Sequence, residues 1–128
     1  MQDIISDIEW LKANNGSNDL YQRLQVSERL AVNSYYLATM VGEAYEKRNT
    51  SEYFYKTAVS SFMANSDLSM SKSESVAKDR YKDMLKEHLD ADSYYKKLAL
   101  LLQQVTIVIE QTRQTNSQLK NEMRHAAA

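Results

Sequence analysis

The chain has 128 residues, 43% hydrophobic and 26% charged, and its 16 Lys plus Arg against 17 Asp plus Glu leave a formal charge of −1. That is the size of one ordinary domain, too apolar for a wholly disordered chain, and too neutral to coat nucleic acid through net charge alone. With no Cys there is no disulfide framework, thiolate metal site or thiol nucleophile, which makes an intracellular, cytoplasmic protein the expectation. Met1-Gln2-Asp3 lacks the basic start and apolar run of a signal peptide, and no run of about 18 apolar residues exists to span a membrane.

Proline is absent and glycine occurs only at Gly16 and Gly42. A β-sandwich or α/β domain of this size needs many turns, and turns draw on Gly and Pro. Few turns mean few, long elements, so the chain is expected to be all-α.

Asp3 is placed to cap a first helix reaching Lys12 or Ala13, with Ile4, Ile8 and Leu11 on one face and Trp10 beside it. The Asn14-Asn15-Gly16-Ser17-Asn18 run breaks the chain, and Asn18 or Asp19 can cap the next helix. There Leu20, Leu24, Ser27, Ala31, Ser34, Ala38, Val41 and Tyr45 keep a four-three spacing, thickened by Leu30, Leu37 and Met40. Asn49-Thr50-Ser51 before Glu52 predicts a stop and restart, or else a kink within one helix. A third helix over Glu52 to Ala64 would put Phe54, Ala58 and Phe62 on one face. The connector at 66–71 is polar and serine-rich, too short for a domain linker.

From there the four-three alternation runs through Ala77, Tyr81, Met84, His88, Ala91, Tyr95, Leu98, Leu102, Val105, Ile109, Thr112, Asn116, Leu119 and Met123. It predicts one helix over 72–124, roughly 70 Å long at 1.5 Å per residue. Its middle is apolar on more than one face, which calls for several neighbours. This chain can offer few, so a homo-oligomer interface is expected at Leu98, Leu101, Leu102, Val105, Val108 and Ile109, with His88 and Asn116 setting register. The expected architecture is one helical domain: a short N-terminal helix and two mid-length helices in 1–65, a connector, and a long oligomerising helix with coiled-coil-like heptads.

Chemistry is sparse. Around His88 no second His lies at helical spacing, and His125 stands alone in the tail, so no metal site is expected and His88 reads as a packed, hydrogen-bonded seam residue. Glu43 and Glu46 share a face without the Glu-x-x-His partner of a di-metal site. Two separated glycines cannot form a phosphate loop, and no triad frame accompanies the serines. No catalytic residue and no cofactor are expected; the chain is not read as an enzyme.

Nine tyrosines stand out, several beside cations. Tyr45 precedes Lys47 and Arg48; Tyr53 and Tyr55 precede Lys56; Tyr81 sits between Arg80 and Lys82; Tyr94-Tyr95 runs into Lys96-Lys97. Aromatic platforms beside Lys and Arg suit single-stranded nucleic acid, through stacking and phosphate neutralisation. Tyr is equally a normal boundary residue, and Tyr81 and Tyr95 fall on the seam. Candidate nucleic-acid contacts are Lys47, Arg48, Tyr53, Tyr55 and Lys56, then Lys72, Lys78, Arg80 and Lys82. A helix starting at Glu52 would add backbone amides that favour phosphate.

The stretch from Lys72-Ser73-Glu74 through Ala91-Asp92, Tyr94-Tyr95 and Leu100-Leu101-Leu102 to Glu122-Met123-Arg124 resembles the C-terminal half of the UvsY-type recombination mediators of phages. The resemblance covers about fifty residues. It implies a ring-like homo-oligomer that holds single-stranded DNA, displaces the single-strand-binding protein and helps load a recombinase in the host cytoplasm. In that family the DNA-contacting cations lie upstream of the long helix, where this chain has Lys47, Arg48 and Lys56. The competing expectation is a non-enzymatic structural or adaptor protein, such as a phage assembly factor or coiled-coil module, whose tyrosines and methionines serve protein contacts.

Overall fold

The computed structural model describes residues 1–14 and 20–127, and among these there are four helices and no strand. They are α1 (Gln2–Ala13), α2 (Leu20–Ala64), α3 (Met70–Arg80) and α4 (Lys82–Ala127). Of the expected break at 14–18, Asn14 ends α1, its amide donating to Trp10 O at 2.9 Å, while the rest of the break and the Asn18 or Asp19 cap lie outside the described residues. Asp3 is not the cap of α1: Met1 takes that position without a side-chain bond. Asp3 instead sits in the first turn, where its charge complements the helix dipole.

Two of the expected boundaries are corrected. The pair of mid-length helices is a single helix, because α2 runs through Asn49-Thr50-Ser51 unbroken. Ser51 Oγ donates to the carbonyl of Arg48 at 2.9 Å, so its hydroxyl is absorbed by the helix it sits in instead of capping a new one. The long C-terminal helix, conversely, is interrupted once. Tyr81 leaves helical geometry at φ −104°, ψ 22°, and separates α3 from α4. Its amide still donates to Ala77 O at 2.9 Å, and Leu85 donates to Tyr81 O at 3.1 Å, so this is a one-residue kink and not a loop. The kink coincides with an edge-on contact of the Tyr81 ring with Phe62, centroids 6.4 Å apart.

The chain folds as two compact units, the first from Met1–Thr39 and Ala99–Ala128, the second from Met40–Leu98. In the first unit, Ile4, Ile8 and Leu11 of α1 are buried, as are Val26, Leu30 and Leu37 of α2, and Val105 and Val108 of α4. Each such branched side chain contributes roughly 1.5–3 kcal/mol of burial. Asp7 is buried on the same face of α1 and accepts two bonds from Arg29, at 2.9 and 2.6 Å. Arg23 is wholly buried as well, donating from Nε to Asn116 Oδ1 at 3.1 Å and from Nη1 to the carbonyl of Asn14. It thereby ties the end of α1 and the start of α2 to α4.

The second unit has a different core. Its buried apolar residues are Ala44, Ala77, Ala91 and Leu98. Alanines let helix backbones approach, and aromatics close the rim: half-buried Tyr95 meets exposed Tyr45 with centroids 5.4 Å apart, and half-buried Phe62 meets Tyr81.

Burial also corrects the inward face of α2. Ala31 and Ala38, expected on the seam, are exposed, as are Leu24 and Tyr45. The inward series is Arg23, Val26, Leu30, Leu37 and Ala44, continued by half-buried Arg48, Ser51, Tyr55 and Ala58. The inward line is therefore turned by about one residue, toward the branched side chains and away from the small ones. On α4 the expected seam residues Ala91, Leu98, Val105, Thr112 and Asn116 are buried, together with Ala77 on α3.

Candidate nucleic-acid interface

The nine candidate contacts all belong to the second unit, on the C-terminal half of α2, on α3 and at the start of α4. Because α2 continues unbroken, its inward line passes through Arg48, Ser51, Tyr55, Ala58 and Phe62, all half-buried. Tyr53 and Phe54 consequently point outward, at 65% and 56% exposure, with ring centroids 6.0 Å apart. Tyr53 was expected as a contact residue; Phe54 was expected to face Ala58 and Phe62, and its exposure is the feature the sequence concealed.

The cations divide into three kinds. Arg48 is held inside the fold: its Nε donates to Asp92 Oδ1 at 2.5 Å, and its guanidinium lies over the Tyr95 ring at 5.5 Å. Lys56 and Lys78 pair one turn away on their own helices, with Glu52 at 2.6 Å and Glu74 at 2.8 Å. These bridges hold both carboxylates below the ordinary range, mainly through the lysine hydrogen bond. Lys78 is also raised by Glu74, with a smaller electrostatic contribution from Tyr55. Arg80 stacks over Phe62 and Tyr81, at 5.6 and 5.8 Å. Lys47, Lys72, Arg80 and Lys82 make no ion pair among the described residues.

Lys47 stands apart from the rest. It lines two adjoining clefts between α2 and α4, of about 410 and 550 Å³, both also lined by Glu87. Glu43, Glu46, Asp83 and Asp90 add carboxylates and Lys86 a second amine, with Phe54, Met84 and Tyr94 as apolar members. Phosphate would meet more carboxylates than amines there. The expected phosphate-binding amides at Glu52 do not exist either, since that residue lies within α2.

The balance shifts toward α3. The stretch from Lys47 to Lys82 holds seven cations, Lys47, Arg48, Lys56, Lys72, Lys78, Arg80 and Lys82, and four acids, Glu52, Asp67, Glu74 and Asp79, although Arg48 is paired with Asp92 and Lys47 stands among Glu43, Glu46 and Glu87. Phe62, Arg80 and Tyr81 bring the end of α2 against α3, and the exposed Tyr53–Phe54 pair lies on α2 within the same stretch of sequence, with Phe54 also lining the acid-walled cleft.

His88 is half-buried, and its Nδ1 has no hydrogen-bond partner among the described residues, contrary to the bonded seam histidine expected. No group of three or more His, Asp and Glu side chains among the described residues is placed to hold a metal. No helix among them is long and apolar enough to cross a membrane.

The chain matches no protein-family model, no curated protein and no solved structure.

Of the expected oligomer residues, Leu98, Val105 and Val108 are already covered by this chain, at 1%, 0% and 5% exposure. They have no surface left for a partner. Leu101, Leu102 and Ile109 remain half-exposed.

Proposed function

We propose that this chain is a non-enzymatic, homo-oligomeric helical protein that holds single-stranded DNA against the end of α2 and α3. This is the role of the UvsY-type phage recombination mediators it resembles, which assist recombinase loading where single-strand-binding protein must be displaced. The observation that carries the reading is the exposed Tyr53–Phe54 pair within a stretch, 47–82, that has three more cations than acids. Stacking supplies sequence-tolerant affinity, and lysines neutralise phosphates. The Lys56–Glu52 and Lys78–Glu74 bridges are solvent-exposed pairs of little worth, so a phosphate can displace the carboxylate. The place of action is the cytoplasm, that of the host if the chain is phage-encoded.

The test is binding of a fluorescent single-stranded oligonucleotide across a salt series. Tight binding at low salt with a steep linear loss on a log–log plot supports the reading; no binding at low salt rejects it.

A second reading, a helical adaptor, rests on a different surface. Val32, Tyr35 and Tyr36 on α2 are exposed at 54%, 74% and 63%, and the two tyrosine rings meet edge-on at 6.1 Å. Exposed aromatics of this kind anchor protein–protein contacts. In that case oligonucleotide binding is absent, and Tyr35 and Tyr36 carry the affinity for a protein partner.

A further inference from the structure

The buried charge of Arg23 adjoins a cleft. Arg23 is 0% exposed, and its Nη2 has no hydrogen-bond partner among the described residues. Its Nε donates to Asn116 Oδ1 at 3.1 Å, and Ser27 Oγ donates to its carbonyl at 2.7 Å. Asn116 and Ser27 both line a cleft of about 450 Å³ between α2 and α4, within the first unit. A guanidinium buried without a carboxylate is costly, and an orphaned buried donor is commonly met by a water or an ion.

The wall of this cleft adds charge of the same sign. Arg113, Asn116, Ser117 and Lys120 stand at helical spacing on one face of α4, and all four line it. Arg113 and Lys120 make no ion pair among the described residues. Glu28 on α2 is the one acid in the wall among the described residues. Arg23, Arg113 and Lys120 therefore outweigh a single carboxylate. With Oδ1 given to Arg23, Asn116 offers an amide donor, and the Ser117 hydroxyl offers another. Leu24, Ala31 and Ile109 form the apolar part of the wall. A volume of this order suits a small molecule and exceeds a bare ion.

We propose that this cleft binds a small organic anion, a carboxylate or phosphate monoester with an apolar body. Its oxygens meet Arg113, Lys120, Asn116 and Ser117, and its body lies against Leu24, Ala31 and Ile109. The covered charge of Arg23, behind Asn116, strengthens the field that holds the anion, because it acts where water does not screen it. The proposed DNA surface belongs to the second unit, so this site does not rest on that reading.

Calorimetric titration of the full chain with hexyl phosphate and with hexanoate tests the site, with hexanol, hexylamine and inorganic phosphate as controls. Binding of at least one hexyl anion, tighter than every control, supports it, and the tighter anion identifies the head group that fits. Arg113→Gln with Lys120→Gln changes only exposed side chains, so it should keep its helical circular dichroism. It should bind the anion about tenfold or more weakly, having lost two charged donors. Glu28→Gln removes the opposing carboxylate and should tighten binding. Arg23→Met should weaken it, and the exposed pair decides the matter if that variant does not fold. No heat with either anion, or an unchanged affinity in the Arg113 and Lys120 double variant, overturns the inference. So does a control bound as tightly as the hexyl anions. A fluorescent oligonucleotide keeps the two sites apart. A parent that binds hexyl phosphate and no oligonucleotide removes the DNA role alone, and a double variant that loses the oligonucleotide while keeping hexyl phosphate removes the anion site alone.

Discussion

Arg23 and Asn116, ninety-three residues apart, meet inside the first unit through one bond from Nε to Oδ1, and Arg23 is completely covered. No carboxylate pairs with this guanidinium among the described residues, and its Nη2 has no partner. Burial accordingly pushes the group below its ordinary value. A buried charge that relies on neutral acceptors is costly, and losing one acceptor costs more. Asn116→Leu should destabilise by about 2–3 kcal/mol, because it leaves the charge with one fewer acceptor. Arg23→Met combined with Asn116→Leu should recover much of that loss, since the charge is gone and apolar groups fill the space. Urea midpoints of the parent, the double variant and the two single variants, Asn116→Leu and Arg23→Met, test this. A double variant as unstable as the two single losses added would mean the pair is not coupled.

The first unit also separates two sides of α2. Leu30 is 0% exposed and Tyr36 63%. Leu30→Ala should cost about 2–5 kcal/mol through lost burial and the cavity left behind. Tyr36→Ala should stay within about 0.5 kcal/mol. Thermal or urea unfolding of the isolated variants reads both, and equal losses would place Tyr36 in a packed contact within the chain.

That contrast also marks what the sequence could reveal. No Pro and two Gly leave few ways to turn, so the helical class was legible. So was the inward line of α3 and α4, because Ala77, Ala91, Leu98 and Val105 repeat regularly. The inward line of α2 was misread by one residue. Its first member is Arg23, and a charged residue on a seam looks like a surface position until its partners are known. At Asn49-Thr50-Ser51 the sequence left a restart and a single helix both open, because capping residues act locally; α2 runs through, with the Ser51 hydroxyl bonded back to Arg48. Phe54 stands four residues before half-buried Ala58, but the inward line passes through Tyr55 instead, and Phe54 is 56% exposed.

Asp92 supplies the pH prediction. It accepts from Lys96 Nζ at 2.8 Å and from Arg48 Nε at 2.5 Å. The Lys96 bond, followed by that of Arg48, holds its carboxyl below the ordinary value. A carboxylate with a depressed folded pKa stabilises fully above its unfolded pKa, about 4, and loses that contribution as pH falls through the folded value. The parent should therefore be more stable than Asp92→Asn at pH 7, with the gap closing below about pH 4. Parallel denaturation series at several pH values measure the gap. A gap independent of pH would mean that Asp92 acts by shape alone.

The DNA reading makes a prediction that its alternatives do not share. Lys72 in the first turn of α3 and Lys82 at the start of α4 are exposed and make no ion pair among the described residues, while Tyr53 and Phe54 are exposed rings of the same unit. If a single strand crosses this surface, the two lysines neutralise phosphates and the rings stack bases. Lys72→Ala with Lys82→Ala should then weaken oligonucleotide binding and flatten the salt slope by roughly 1.4 units, at about 0.7 per lost contact. Tyr53→Ala with Phe54→Ala should weaken binding by about 1–3 kcal/mol per stacked base while leaving the salt slope unchanged, because stacking releases no counterions. Lys47→Ala should change little, since Glu43, Glu46 and Glu87 surround it in its cleft. The helical content of all three variants should match the parent, as every substituted side chain is exposed. A slope unmoved by the lysine pair, or moved most by Lys47→Ala, would take the strand off α3 and into the cleft between α2 and α4.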